Sequence, residues 1–230
     1  MIFDPLYLIM VMPAFLLSLY AAFKVKATYA KYSKIPTIRG ITGAQAAQNI
    51  LRSAGIYDVA IELSRGFLSD HYDPTKRVLR LSDNVYSGDS IASVGVAAHE
   101  AGHAIQHAQG YAPMKLRSAI VPMASIGSNL SWFLLMFGFI FHAKGLVLLG
   151  IVFFTAVVLF QVVTLPVEFN ASARALQALP AAGILSEQEV PGARKVLNAA
   201  AMTYVAAAVT AVLQLLYFLF RAGLIGGSDE

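Results

Sequence analysis

The sequence predicts a mainly α, multi-span integral membrane protein with about four transmembrane helices and a small β-hairpin between the first two. Three observations carry that prediction. Hydrophobic residues make up 57% of the 230-residue chain and charged residues only 13%, with a mean hydropathy of +0.64; a soluble domain would carry about 25% charge. The apolar residues gather into four stretches, 5–23, 118–141, 145–167 and 199–220, each near the ~20 residues that cross the hydrocarbon core of a bilayer. Fifteen of the seventeen Lys and Arg fall in 24–117 or 168–198, leaving only Lys144 and Arg221 on the other side. The positive-inside rule assigns the basic side to the cytoplasm, so a multi-pass protein of the plasma membrane with both termini outside is expected. The net charge of +4 is then a consequence of topology, and no nucleic-acid partner is expected.

The elements follow in order. Residues 5–23 read as an uncleaved anchor, because "MIFDP" offers Asp4 and no basic residue, while Lys24 and Lys26 come after the apolar run. Residues 24–117 are too long for a simple loop. Within them 42–55 predicts a helix: "TGAQ" has the capping-box spacing, Ile50, Leu51 and Ala54 share a face, and Gly55 closes it. "VAIEL" and "RVLRLS" predict two strands joined through "SDHYDPTK", where Asp73-Pro74 fits the start of a type I turn. Beyond "NVYSGDS", either Ser90 or Asp89 caps a helix running to Gly110. In the second span, Ala124-x-x-x-Ser128 and Gly127-x-x-x-Ser131 suit close helix packing. His142 is interfacial in a short outer loop. Gln161, Thr164 and Gln214 either line a cavity or bond between helices. "PVEFNASARALQAL" opens a helix directly after the third span, ending before Pro180 and Gly183, and "LSEQEVPGARKVLNAA" leads into the last span. The tail "GGSDE" reads as a frayed end. With no internal repeat, the whole of 1–230 is expected to form one domain.

The chemistry concentrates in "VAAHEAGHAIQHAQG", residues 96–110. Helical residues four apart lie about 40° and ~6 Å from each other, so His99 and His103 can meet one metal ion, while Glu100 points about 100° from His99, near enough to reach water at that ion. The chain has no cysteine, which excludes disulfides, thiol nucleophiles and thiolate ligands, so a metal must be held by His, Asp or Glu. The plain alternative is a helix that merely packs. Against it, an unpartnered buried His-Glu-His cluster would be costly, and the small Ala97, Ala98, Ala101, Gly102 and Ala104 leave room for a close partner helix.

A catalytic zinc needs a third protein ligand and an open position. His107 lies about 12 Å beyond His99 along the axis, so it cannot complete a tetrahedral set on one straight helix. It is read as a neighbour of the ligands or as a helix-end residue. Gln106 and Gln109 stand where an extended zinc motif would have Gly and a third His. By elimination Glu168 is the candidate, the one acid after the motif that lies against a span on the basic side. Its alternative role is a charge favouring a helix N-terminus.

Together "SDHYDP", "AAHEAGHAIQHAQGY" and "PVEFNASARAL" resemble the YugP-type neutral zinc metallopeptidases of bacterial membranes and, more distantly, HtpX and the CAAX-prenyl endopeptidases. The similarity runs from about Thr42 to Leu179. It implies a zincin-like (gluzincin) helix pair at the cytoplasmic membrane face, with Zn²⁺ as cofactor, His99, His103 and Glu168 as ligands and Glu100 as base. The HtpX relatives carry Asp four residues after the third ligand, where this chain has Ser172; Asn170 or Arg174 is the expected substitute.

The leading expectation is therefore an integral-membrane zinc endopeptidase cleaving membrane-associated proteins or peptides near the cytoplasmic face. His71 and Tyr72 either bond the developing oxyanion or are turn residues, and the "RVLRLS" strand offers an edge to an extended peptide. One alternative is a site-2-type intramembrane protease, but such enzymes take an Asp from a later apolar helix, and no Asp occurs between Asp89 and Asp229. The other is a non-catalytic scaffold or metal-binding protein with a structural zinc, closed by a fourth ligand such as His107 or His71.

Overall fold

A computed structural model describes residues 4–66 and 69–226. In chain order it contains α1 (Pro5–Tyr32), α2 (Gly43–Ser53), β1 (Ala60–Ser64), β2 (His71–Asp73), β3 (Val78–Ser82), α3 (Asp83–Tyr86), α4 (Ile91–Ala108), α5 (Ala112–Ile140), α6 (Lys144–Ala181) and α7 (Val190–Arg221). Four of these helices, α1, α5, α6 and α7, are long and apolar enough to cross a membrane. All but Gly226 of the expected frayed tail lies outside the described residues.

The chain divides into two compact units. The first gathers the chain up to Ala21, Lys115–Leu165 and the chain from Thr203. Its core is built from large apolar side chains, among them Leu135, Ile151, Phe154, Tyr217 and Phe218. Many other apolar residues, such as Ile9, Phe141 and Val152, face outward, as suits a lipid solvent. Ala124, Gly127 and Ser131 form the buried stripe of α5, whereas Ser128 is exposed and turns its hydroxyl back to the Ser125 carbonyl. Thr164 likewise donates to Phe160 O of its own helix.

The second unit comprises Ala22–Met114 and Pro166–Met202. Its core is rich in alanine, which lets helices approach closely around α4. Thr42 closes the capping box on α2, accepting from Gln45 N while Gln45 Oε1 accepts from Thr42 N, and Gly55 ends the turn at φ 71°. Ser90, rather than Asp89, caps α4: its Oγ accepts from Ser93 N at 3.1 Å.

Two expectations are corrected. The predicted strands do not form a hairpin with each other. They pair in parallel, Ala60 opposite Val78 through Ser64 opposite Ser82, and the hairpin is β2–β3, so the sheet order is β1-β3-β2. The linker read as a turn contains its own strand, which fills the second edge, so "RVLRLS" is the central strand and not the peptide-binding edge expected of it. Asp73 still makes the turn, accepting from Thr75 N and Lys76 N. Secondly, the helix expected to start afresh at Pro166 is the continuation of the third span, and it runs through Pro180 to Ala181. A proline interior to a helix forfeits one backbone bond. At 180 that loss falls in the last turn, just before Gly183 leaves the helix at φ 63°.

Candidate metal centre

The site lies wholly in the second unit, between α4 and the part of α6 that follows Leu165. Gly102 determines how near the two helices come: a Cβ there would stand 2.6 Å from the Ala171 carbonyl oxygen and 3.2 Å from Ala171 Cα. Only glycine permits that approach. Residues three below and one above Gly102 are His99 and His103, and three before Ala171 is Glu168, so the contact brings the imidazoles and the carboxylate to one level.

Glu168 Oε2 is 3.1 Å from His99 Nε2 and 3.5 Å from His103 Nε2. The two rings stand edge to face, 4.7 Å between centroids at 82°. Ligand atoms about 2.0–2.2 Å from a tetrahedral zinc lie ~3.4 Å from one another, so the observed spacings match a zinc-holding set. Among the described residues, His99, His103 and Glu168 are the one group of three or more such donors within 4.8 Å of each other. Glu168 and His103 are buried and His99 is partly so.

The outer ring nitrogens are also engaged. His99 Nδ1 is 3.1 Å from Ser172 Oγ, and His103 Nδ1 is 3.0 Å from Gln106 Oε1. Occupied Nδ1 atoms leave both Nε2 atoms turned toward Glu168, the orientation metal-binding imidazoles need. Burial pushes the His103 imidazole down, but the hydrogen bond to Glu168 and the charges of Glu100 and Glu168 outweigh it, so the ring is held above the usual histidine range. Glu100 is itself buried, 8% exposed.

The remaining candidates fall elsewhere. His107 Nδ1 meets the Tyr72 hydroxyl at 2.8 Å. His71 is exposed, with Nδ1 on Ser69 O and Nε2 3.4 Å from an Arg80 nitrogen. Neither histidine belongs to the three-donor group. Ser172 contacts His99 itself, while the expected substitutes Asn170 and Arg174 join a separate chain of bonds through Gln106. Gln106 was not anticipated as a site residue. Its signal in the sequence is a lone amide on an apolar helix, three residues after a candidate ligand.

A membrane zinc peptidase is the class that this fold and donor set define, and comparison bears it out. Residues 7–223 match the family model described as "Putative neutral zinc metallopeptidase", and the chain belongs to that family. It is 46% identical over 225 residues to "Putative membrane protease YugP" of Bacillus subtilis (strain 168), covering 98% of this chain and 99% of that protein. No solved structure matches. The chain is thus a membrane-embedded hydrolase of peptide substrates, with zinc as its metal.

Proposed function

We propose that the chain is a zinc-dependent endopeptidase of the gluzincin type, acting near the cytoplasmic face of the plasma membrane. His99, His103 and Glu168 hold the metal, and Glu100 is the general base. The observation that carries this is the convergence of three donor atoms from α4 and α6 at zinc-ligand spacing. When bound, zinc polarises a scissile carbonyl and lowers the pKa of water toward about 7. Glu100 follows His99 on α4 and is turned about 100° from it. Its carboxylate accepts the proton of the attacking water and delivers it to the departing amine. Ser172 and Gln106 keep the two imidazoles in place while this happens. The face assignment rests on the distribution of Lys and Arg. We read 1–230 as one functional domain, since α6 runs unbroken from the first unit into the second. The same reading includes a distant kinship with HtpX and the CAAX-prenyl endopeptidases, and no nucleic-acid partner.

A structural zinc is less well supported, because His71 and His107 stand outside the donor group. An intramembrane site-2 mechanism is disfavoured because α4 is not among the four candidate spans. Glu100→Gln tests the assignment. Zinc content should be unchanged while hydrolysis of a casein-like substrate falls about 10²–10⁴-fold. Activity retained by this variant would reject Glu100 as base, and unchanged zinc affinity in Glu168→Ala would reject the third ligand.

A further inference from the structure

Gln106 is fully buried, yet every polar atom of its amide is used. Its Nε2 donates to Val167 O at 2.8 Å and to Asn170 Oδ1 at 2.9 Å, and its Oε1 lies 3.0 Å from His103 Nδ1. Chemistry fixes the polarity of this chain from both ends. The Val167 backbone carbonyl can only accept, so the amide nitrogen of Gln106 must face it. The Arg174 Nε can only donate, and it lies 2.6 Å from Asn170 Oδ1, so Asn170 must also present oxygen. The Gln106 oxygen is then the atom left for His103, and His103 must carry its proton on Nδ1. Arg174 is held in turn by Gln109 Oε1, 2.6 Å from its Nη1.

We infer that Gln106 is a positioning residue that locks His103 in the Nδ1–H tautomer and thereby presents Nε2 to the metal. The inference rests on His103 being a ligand. Its particular content is where the lock is anchored. Val167 and Asn170 flank Glu168 on α6, so the segment that supplies the third ligand also orients the second. The two helices cannot separate without loosening both.

The test compares two replacements of Gln106 by zinc competition against a chromophoric chelator. Gln106→Glu keeps an acceptor toward His103 Nδ1 but gives up the N–H bonds to Val167 O and Asn170 Oδ1, whereas Gln106→Leu keeps the apolar volume and removes acceptor and donors alike. The expected order is the smaller loss of zinc affinity for Glu, about fivefold, and a ~10–100-fold loss for Leu. A residue that only fills the core predicts the reverse, since Leu preserves packing and Glu buries a charge. Wild-type affinity in the Leu variant, or an equal loss in both, would overturn the inference. The unaltered zinc-loaded protein supplies a second reading: ¹⁵N spectra of labelled histidine should show His103 protonated at Nδ1, and metal at Nδ1 would overturn it. His103→Ala separates this from the ligand assignment. If that variant binds zinc normally, the ligand set is wrong; if it loses zinc while Gln106→Leu does not, only the role of Gln106 fails.

Discussion

At Gly127, α5 lies so close to α6 that a Cβ would stand 2.6 Å from the Phe153 carbonyl oxygen; at Gly102, α4 lies equally close to α6, 2.6 Å from the Ala171 carbonyl. The neighbours differ. Around Gly127 the next contact is the Val157 side chain, and Ser131, one turn on, is buried with its hydroxyl unpartnered among the described residues. Around Gly102, His99, His103 and Gln106 face Glu168, Asn170 and Ser172 through two sets of hydrogen bonds, one on each imidazole. Close approach alone gives adhesion. With polar side chains placed three or four residues to either side, it gives a coordination site. The glycine sets the distance, and its neighbours decide what the distance is for.

The largest effect should come from Gly102→Ala. Its Cβ meets backbone rather than a flexible side chain, so the helices must part by ~1 Å to restore ordinary contact. Zinc affinity and hydrolysis should each fall about 100-fold or more, since a 1 Å misplacement suffices for that. Equilibrium zinc competition alongside a peptidase assay would measure both. A variant that binds zinc normally would show that the close contact does not position the donors.

Gly127→Ala makes the same intrusion in the first unit and should act differently. Overpacking there is expected to lower stability by about 1–3 kcal/mol, read from denaturant titration in detergent, with zinc affinity unchanged to within about threefold. A loss of zinc equal to that of Gly102→Ala would erase the contrast between the two contacts.

Much of this was legible in the sequence, for reasons that particular residues make plain. The cap at Thr42, the cap at Ser90 and the donor pair His99–His103 are encoded within one or two helical turns, where spacing is enough. Glu168 was reachable because few acids follow the motif, so elimination could work across 65 residues of chain. The parallel pairing of β1 with β3 was not reachable. β2 is three residues long, too short for an alternation to register, and the choice between parallel and antiparallel partners is made by long-range contacts. The helix-favouring Ala, Leu, Glu and Gln after Pro166 read equally well as a new helix or as an extension of the span before it; the structure shows the extension. The role of Gln106 depends on a carbonyl 61 positions away, which no local pattern reveals.

Glu189 tests whether a buried carboxylate of the second unit that lies away from the metal centre is held by hydrogen bonds in the same way. Its Oε1 accepts from Ile38 N, and its Oε2 accepts from Ser186 N and Ser186 Oγ, all at 2.8 Å. Burial pushes the carboxyl up, but these donors outweigh it and hold it below its usual value near 4.5. The folded protein therefore binds fewer protons at this residue than the unfolded chain does. The resulting stabilisation is complete above the unfolded pKa and is lost as pH falls through the lower, folded one. Glu189→Gln leaves an amide nitrogen facing N–H or O–H donors and should cost ~1–2 kcal/mol at neutral pH. Denaturation midpoints of the two proteins, followed in an acid series, should converge below about pH 4.5. A gap that stays constant into acid would mean that Glu189 holds the connection by shape, and that the charge contributes nothing. Saturation is not complete in either unit: among the described residues Thr37 Oγ1 in the second, and Ser131 Oγ and Gln214 Nε2 in the first, are buried without a hydrogen-bond partner. The contrast between the Gly102 and Gly127 contacts is thus one of hydrogen bonding, drawn on helices that approach equally closely.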